Sequence, residues 1–346
     1  MTLTLFKSGK TKRLEALADG TLNVTFTDGV TAFNGEKHAE IPNKGALCAQ
    51  ISAQLFTLLN LAGFNTCFIA PGDAKNQLVF QQLVMIPVEV VVRNVALGSV
   101  CKRTPQLPEG HTFSAPVVEF FLKDDAAGDP LLSTGVLQEL NLLPSGITPA
   151  LLERTALQIN AILKAYFNAL GIICADFKLE FGLAHLNGGA PLVIADELSP
   201  DNFRLRDRAS GQVLDKDVFR KDLADLGQTY QAVYDRIMAL PPEQFLADWQ
   251  PALQPYTVSL QVSRRPEILH PESDAILAAA KALGFTTLDS VAAGKLFQLS
   301  LRAASPLAAE QQALQLAEQL LANPVLDNVT LNALNLDAVA AEPICP

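Results

Sequence analysis

Residues 176–181 constrain the fold more than any other stretch of the chain. Charged and apolar side chains alternate there, so a β-strand would send Asp176, Lys178 and Glu180 to one face of a sheet. A charged strand face is most often a solvated one. The next strand segment, 192–197, begins with four apolar residues, which indicates that the hairpin is covered on both sides. Because buried carboxylates need a cation or a proton, the hairpin predicts a functional site.

The register of this hairpin decides which carboxylates can meet. Asp176 and Glu180 are ~13 Å apart along one strand, too far to bind one small ion together. An odd loop centred on Gly188 would place Glu180 across from Asp196, ~5 Å away on the same face. A two-residue turn would instead pair Glu180 with Ala195 and send Asp196 to the other face. Both registers are compatible with the sequence.

The first register makes the hairpin a candidate site for a metal ion and a phosphate. Carboxylate oxygens are the ligands that Mg²⁺ prefers, and a lysine between them can neutralise a phosphate. We therefore expect Glu180 and Asp196 to bind Mg²⁺. Lys178 would bind a phosphate, and Asp176 would face a second substrate.

The overall charge excludes several classes of protein. With 26 Lys+Arg against 36 Asp+Glu, the net charge of −10 argues against a nucleic-acid or anionic-membrane binder. The most apolar run, 83–92, contains Pro87 and Glu89 and is shorter than the ~20 residues that span a bilayer. Five scattered cysteines form no disulfide or zinc pattern, so we expect a cytoplasmic protein. Gly9-Lys10-Thr11 is not a P-loop, because Thr4 stands where that motif needs glycine.

Hairpin and helix patterns are mixed along the first two thirds of the chain, which predicts an α+β fold. Thr148-Pro149 is a typical helix start, and Gly63 and Gly171 are typical helix ends. In the strand at 83–93, Pro87 indicates an edge or a bulge. The predicted strands are 22–26, 83–93, 172–183 and 192–197, and the predicted helices are 46–61, 151–170 and 217–240.

Residues 241–255 contain four prolines and no sustained period, which predicts a linker between a domain at 1–240 and one at 256–346. The second domain has the order β-α-β-β-α-β, typical of ferredoxin-like folds. Its predicted strands are 257–263, 285–291, 295–302 and 329–334, and its predicted helices are 273–283 and 306–322.

Residues 5–240 resemble the phosphoribosylaminoimidazole-succinocarboxamide synthase (SAICAR synthase) family of purine biosynthesis. The resemblance covers several long motifs in the family order. They are residues 9–13 (GKTKR), 26–28 and 31–37 (FTD and TAFNGEK), 86–94 (IPVEVVVRN), Gly98-Ser99, 176–182, 196–201 (DELSPD), and 215–217 (DKD) with Arg220.

This resemblance implies an ATP-grasp-related fold and a ligase that uses ATP and Mg²⁺. It would join L-aspartate to the carboxylate of carboxyaminoimidazole ribonucleotide through an acyl phosphate. Phosphoryl transfer depends on charge neutralisation and positioning, which agrees with a site rich in lysines and carboxylates. Arg206 and Asn202-Phe203 depart from the family pattern, which commonly has Trp at the first position and small or polar residues at the others.

The resemblance also implies roles for individual residues. Lys178 and Asp176 would be catalytic, and Glu180 and Asp196 would bind the metal. Lys10, Lys12, Lys123 and Lys178 would hold the ATP phosphates. Arg93, Ser99 and Arg204 would hold the ribotide, Asp129, Asp176 and Asp201 would orient substrates, and Lys216 and Arg220 would line the same pocket.

Residues 256–335 resemble the small PurS-type subunit of phosphoribosylformylglycinamidine synthase. The resemblance rests on residues 258–262, 276–284 (ILAAAKALG), Gly294-Lys295 and 320–324 (LLANP). It implies a noncatalytic module that forms homo-oligomers and bridges the synthetase and glutaminase subunits of that enzyme. Two rival functions are a kinase or ligase acting on another carboxylate and a scaffold with a silent nucleotide site.

Overall fold

A computed structural model describes the chain, which divides by its internal contacts into two units, Met1–Trp249 and Gln250–Pro346. Each unit is described by itself. No described helix is both long enough and apolar enough to cross a membrane. The structure describes residues 4–9, 11–32, 36–124, 126–184, 192–249, 254–265, 267–303, 306–323 and 325–336.

The first unit combines two larger antiparallel sheets and one two-stranded antiparallel sheet with helices, which confirms the predicted α+β class. Its strands are Thr4–Ser8 (β1), Lys12–Ala16 (β2), Thr21–Phe26 (β3), Gly29–Ala32 (β4), Lys37–Glu40 (β5), Phe68–Pro71 (β6), Gln77–Gln81 (β7), Val84–Val95 (β8), Thr112–Leu122 (β9), Leu131–Leu132 (β10), Ile172–Leu183 (β11), Leu192–Ala195 (β12) and Phe203–Asp207 (β13). Its helices are Lys44–Leu61 (α1), Ser99–Arg103 (α2), Thr134–Glu139 (α3), Pro149–Ala169 (α4), Asp217–Arg220 (α5), Leu226–Met238 (α6) and Pro242–Asp248 (α7).

One of the two larger sheets has the strand order β1-β2-β3-β7-β6. The second has the order β10-β9-β8-β11-β12, and β13 is also paired with β11. Strands β8 and β11 lie in the middle of the second sheet, and Arg93, Asp176 and Glu180 on these strands are buried. Asp176 pairs with Arg93 and Glu180 pairs with Glu89 across this central ladder. The ladder shifts register next to Pro87, which therefore lies at a bulge and not at a sheet edge.

The long helices begin and end where the sequence predicts. The Thr148 side chain accepts a hydrogen bond from the Leu151 backbone N–H and caps α4. Gly63 and Gly171 follow α1 and α4 with φ of 91° and 69°, in the left-handed region that glycine adopts without strain. Apolar faces of these helices pack into the common core of the first unit.

Two predicted elements of this unit are wrong in extent. The predicted helix at 217–240 is two helices, because Asp222 has φ of 51° and Asp225 caps a new helix by accepting from the Gln228 N–H. The predicted strand at 192–197 ends at Ala195, because Asp196 has φ of 66° and leaves the sheet.

Part of the segment predicted as a linker is helical. Helix α7 buries Phe245, whose ring lies 5.1 Å from Tyr166 and 5.9 Å from Trp249 between centroids. These contacts attach 242–249 to the core of the first unit, and the division between the units follows Trp249.

The second unit is a three-stranded antiparallel sheet with helices, and its strand at Gln254–Arg264 lies between those at Gly294–Ala303 and Asp327–Leu336. The predicted strand at 285–291 is wrong: these residues form turns and coil, and Phe285 is 63% exposed. Both sides of the central strand are already paired, so only an edge could have taken a fourth strand. The elements are Gln254–Arg264 (β14), Pro271–Ala282 (α8), Gly294–Ala303 (β15), Pro306–Leu316 (α9) continued by a π-helical turn at Ala317–Leu321, and Asp327–Leu336 (β16).

Candidate active site

Two neighbouring cavities of about 790 and 540 Å³ lie in the first unit and share part of their lining. Nearly every site residue predicted from the sequence lines one of them. Lys10 is the exception, because it lies outside the described residues. The shared lining consists of Thr11, Glu89, Lys178, Asp201, Asn202 and Lys216.

The larger cavity has an apolar side and a charged side. Strands β2, β3 and β7 supply Leu14, Leu22, Val24 and Phe80 to the apolar side. An apolar wall beside several lysines suits a flat ring that carries phosphates. The charged side consists of Lys12, Lys123, Lys178, Glu180, Asp196 and Glu197.

Ion pairs connect the charged residues of the larger cavity. Lys178 donates to Glu89 at 2.7 Å and to Glu180 at 2.8 Å, while Lys123 also donates to Glu180. Lys12 contacts Asp196 and lies 2.9 Å from Glu197.

Burial and pairing act in opposite directions on these lysines. Burial works to lower the pKa of Lys12 and of Lys178, but their carboxylate partners outweigh it and raise both pKa values well above the usual range. Lys12 and Lys178 are therefore permanent cations within this cavity.

The register predicted for the metal pair is wrong. Glu180 pairs with Ala195 and not with Asp196, as the two-residue turn required. The turn itself, including Asn187 and Gly188, lies outside the described residues. Both carboxylates nevertheless line the larger cavity, because Asp196 adopts the left-handed conformation just after the strand and is no longer bound by the alternation of the sheet.

The donor set of the larger cavity fits a divalent cation. Glu180 and Asp196 supply the oxygen ligands that Mg²⁺ takes, and the lysines that now neutralise them would be shared with phosphate oxygens. Among the described residues, Cys48, Glu197 and Asp201 are also close enough to surround an ion. That second cluster already contains a cation, because the Lys44 ammonium lies 2.6 Å from Asp201 and Lys12 pairs with Glu197.

The smaller cavity is built around a carboxylate held between two arginines. Asp176 accepts from Arg93 at 3.2 Å and from Arg204 at 3.0 Å, and Arg93 also donates to Ser99 at 3.1 Å. Burial raises the pKa of Asp176 even though both arginines act to lower it. Asp176 also lines the smaller cavity, so its facing a second substrate stays a prediction. The arginines and Ser99 line the cavity and can hold an anion.

Gly98 allows the close approach of one of these arginines. A Cβ atom on Gly98 would lie 2.6 Å from the Arg204 guanidinium, and its φ of 67° also favours glycine. Helix α2 starts at the next residue and places Ser99 beside Arg93. The Gly98-Ser99 pair therefore shapes the anion site from the backbone.

A buried carboxylate fixes the segment that carries Lys216 and Arg220. Asp215 is fully buried and accepts from the backbone N–H groups of Leu205 and Asp217 and from Arg206 at 2.7 Å. Arg206 is therefore a bracing residue outside the lining of either cavity. The segment places Lys216 in both cavities and Arg220 in the smaller one, with Asp129 on the same wall.

Sequence reasoning missed three residues of the site. Glu89 lines both cavities, and its signal was a lone carboxylate in an otherwise apolar strand. Lys44 and Tyr230 bind the two oxygens of Asp201 at 2.6 Å each from α1 and α6. A lysine at the start of a buried helix gives little signal, and nothing in the local sequence connects Tyr230 to Asp201.

Two family models match the chain in separate places. The SAICAR synthetase model matches residues 5–237, and the model described as phosphoribosylformylglycinamidine (FGAM) synthase, PurS, matches 257–335. The phosphoribosylaminoimidazole-succinocarboxamide synthase of Thermococcus kodakarensis is 44% identical over 235 residues, which cover 68% of this chain and 97% of the relative. The corresponding protein of Exiguobacterium sibiricum is 42% identical over 232 residues, 66% of this chain and 95% of the relative.

Solved structures of the same family resemble the first unit. The phosphoribosylaminoimidazole-succinocarboxamide synthase of Ehrlichia chaffeensis is 36% identical with a TM-score of 0.65 and covers 69% of this chain and 100% of its own. A SAICAR synthetase solved in complex with ADP is 41% identical with a TM-score of 0.62 and covers 68% of this chain and 98% of its own. The chain therefore belongs to the SAICAR synthetase family of ATP-dependent ligases in purine biosynthesis, and a PurS-like domain follows the synthetase region.

Proposed function

We propose that the first unit joins L-aspartate to the carboxylate of carboxyaminoimidazole ribonucleotide through an acyl phosphate, with ATP as the phosphoryl donor. The observation that carries this proposal is the pair of cavities with a shared lining. One cavity suits a nucleotide, the other suits an anionic ribotide, and the shared part lets a phosphoryl group pass between them.

The chemistry requires an activated carboxylate. A carboxylate is a poor acyl donor to an amine, because its oxygen is a poor leaving group. Transfer of the γ-phosphoryl group to that oxygen creates a mixed anhydride and releases ADP. The aspartate amine then attacks the carbonyl carbon, the C–O bond to phosphate breaks, and inorganic phosphate leaves. Positioning and charge neutralisation supply most of the catalysis of such transfers.

The larger cavity would hold the nucleotide. We assign Lys10, Lys12, Lys123 and Lys178 to its phosphates, and Glu180 and Asp196 to Mg²⁺. When bound, the ion would neutralise phosphate charge and orient the γ-phosphoryl group. The ADP complex of the relative that is 41% identical supports a nucleotide in this fold.

The smaller cavity would hold the ribotide and aspartate. We assign Arg93, Ser99 and Arg204 to the anionic groups of the ribotide, with Asp176 holding the two arginines in place. Asp129 and Asp201 would orient substrates, and Lys216 and Arg220 would bind substrate groups in the same pocket. Lys178, in the shared lining, would act on the reacting phosphoryl group.

For the second unit we propose a noncatalytic role. It would form homo-oligomers and bridge the synthetase and glutaminase subunits of formylglycinamidine ribonucleotide synthase, as its PurS-like sequence implies. The free thiols of the four described cysteines support a cytoplasmic location for the chain.

A coupled assay of ADP release tests the ligase. We expect ADP and SAICAR to form in equal amounts when ATP, Mg²⁺, the ribotide and aspartate are all present. Omission of the ribotide or of ATP should abolish product formation. Product from another amine but not from aspartate would favour the rival ligase, and ATP binding without any turnover would favour the scaffold.

A further inference from the structure

The shared lining of the two cavities contains two lysines with different surroundings. Lys178 is bound to Glu89 and Glu180, so two carboxylates already neutralise it. Lys216 forms no ion pair with any residue that the structure describes, although it lines both cavities. A phosphoryl group that crosses this part of the site therefore meets Lys178, which is already paired with two carboxylates, and Lys216, which is not.

The availability of Lys216 has a structural cause. Of the carboxylates, Asp201 attracts Lys216 most strongly, but the Lys44 ammonium and the Tyr230 hydroxyl each bind one of its oxygens at 2.6 Å. Both partners come from buried positions on α1 and α6, and the Lys44 side chain is only 2% exposed. Each Asp201 oxygen therefore already has a partner, and Asp201 forms no ion pair with Lys216, although Lys216 is near enough to attract it.

The electrostatics of Lys216 agree with this reading. Burial lowers the pKa of Lys216, and the attraction of Asp201 and Glu197 does not restore it against Arg220 and Lys44. A half-buried ammonium without a carboxylate partner is costly, and a bound anion would remove that cost. An incoming phosphoryl oxygen is such an anion.

We propose that Lys216 is a catalytic cation that binds the phosphoryl group in transit between the cavities, and that Lys44 and Tyr230 are positioning residues that keep it available. The inference rests on the proposed function. In the step concerned, the bond from the γ-phosphorus to the β-phosphate oxygen breaks and ADP takes its electron pair. A bond from phosphorus to the substrate carboxylate forms, and Lys216 keeps its proton throughout.

Rapid-quench single turnover of the full chain tests this role. With saturating ATP, Mg²⁺, ribotide and aspartate, ADP formation reports phosphoryl transfer, and SAICAR formation reports the later amine attack. We expect Lys216→Met to slow ADP formation about 100-fold, a loss typical of removing one preorganised charge donor. Lys216→Arg should recover part of the rate, because it retains the charge. Tyr230→Phe should slow ADP formation by a smaller factor, without a change in the KM for ATP.

Lys221→Met is the matched control, because Lys221 follows closely on the same segment and is half exposed outside both cavities. It should leave both rates unchanged. Wild-type ADP formation in Lys216→Met, with only SAICAR formation slowed, would assign Lys216 to aspartate and overturn the inference. A wild-type enzyme that forms neither ADP nor SAICAR is a separate result, because it contradicts the proposed function itself.

Discussion

The two units of the chain bury different kinds of side chain. Every buried charged residue that the structure describes lies in the first unit, among them Lys44, Arg93, Asp176, Glu180 and Asp215. The core of the second unit is apolar, and helix α9 with the π-helical turn that continues it contributes alanines at every fourth position from 309 to 317. Buried charge costs free energy unless it is paired, so its concentration marks the unit that carries chemistry.

The largest effect expected is on turnover. Glu180→Gln and Asp196→Asn should each reduce ADP release by about three orders of magnitude, because each removes a ligand from the charged side of the larger cavity. The matched control is Asp327→Asn. Asp327 lies in the second unit, and its carboxylate is 3.3 Å from the Arg264 guanidinium. Near-normal activity of either first-unit variant, with an unchanged circular dichroism spectrum, would refute the metal assignment.

A second test compares stability. Arg206→Met leaves the fully buried Asp215 without its cation and should lower the free energy of unfolding by about 3 kcal/mol. Arg264→Met breaks a more exposed pair and should cost less than about 1 kcal/mol. Urea unfolding, followed by the fluorescence of the single tryptophan, Trp249, and by circular dichroism, measures both. Equal losses of unfolding free energy in the two variants would mean that the two units do not differ in how much a buried ion pair stabilises them.

A third test uses pH. Burial alone would raise the pKa of Asp201, but Lys44 and Lys216 outweigh it and hold this pKa at about 2. Because the folded pKa is below the unfolded one, the stabilisation is complete above pH ~4 and is lost as pH falls towards 2. The difference in unfolding free energy between wild type and Asp201→Asn should therefore shrink by about 2 kcal/mol over that range. A difference independent of pH would contradict the assignment.

The smallest effect is expected from removing the second unit. A chain ending at Trp249 should release ADP within about twofold of the full chain, because α7 and Trp249 complete the core of the first unit. The relative from Thermococcus kodakarensis aligns with 235 residues, 68% of this chain, and these cover 97% of that relative. A folded but inactive truncation would show that the second unit contributes to catalysis.

Local patterns predicted much of the fold because they depend on nearby residues. Strand alternation placed β11 correctly, and Thr148 and Gly171 marked the ends of α4. A strand was also predicted at 285–291, but these residues form turns and coil and pair with no strand of the described sheet. A strand needs a partner, and the sequence of one segment does not reveal whether a partner is free.

The site shows the same division between local and distant information. The sequence predicted that basic residues would lie beside the carboxylates of the site, because buried carboxylates require cations. How they pair was not predictable: Asp176 binds Arg93 and Arg204 from two other strands. The position of Asp196 depended on one backbone angle, since its positive φ brings it into the cavity although the register pairs Glu180 with Ala195.

By itself, the sequence determined that this is an acidic α+β chain with a synthetase region and a separate PurS-like region, because composition, alternation and motif order are properties of the chain alone. The tertiary structure decided which basic side chains form ion pairs with carboxylates and which remain unpaired and available to a substrate. That distinction depends on distances between residues far apart in sequence, such as Lys44, Asp201 and Tyr230. Electrostatic energy depends on those distances and on burial, and neither is encoded at any single position.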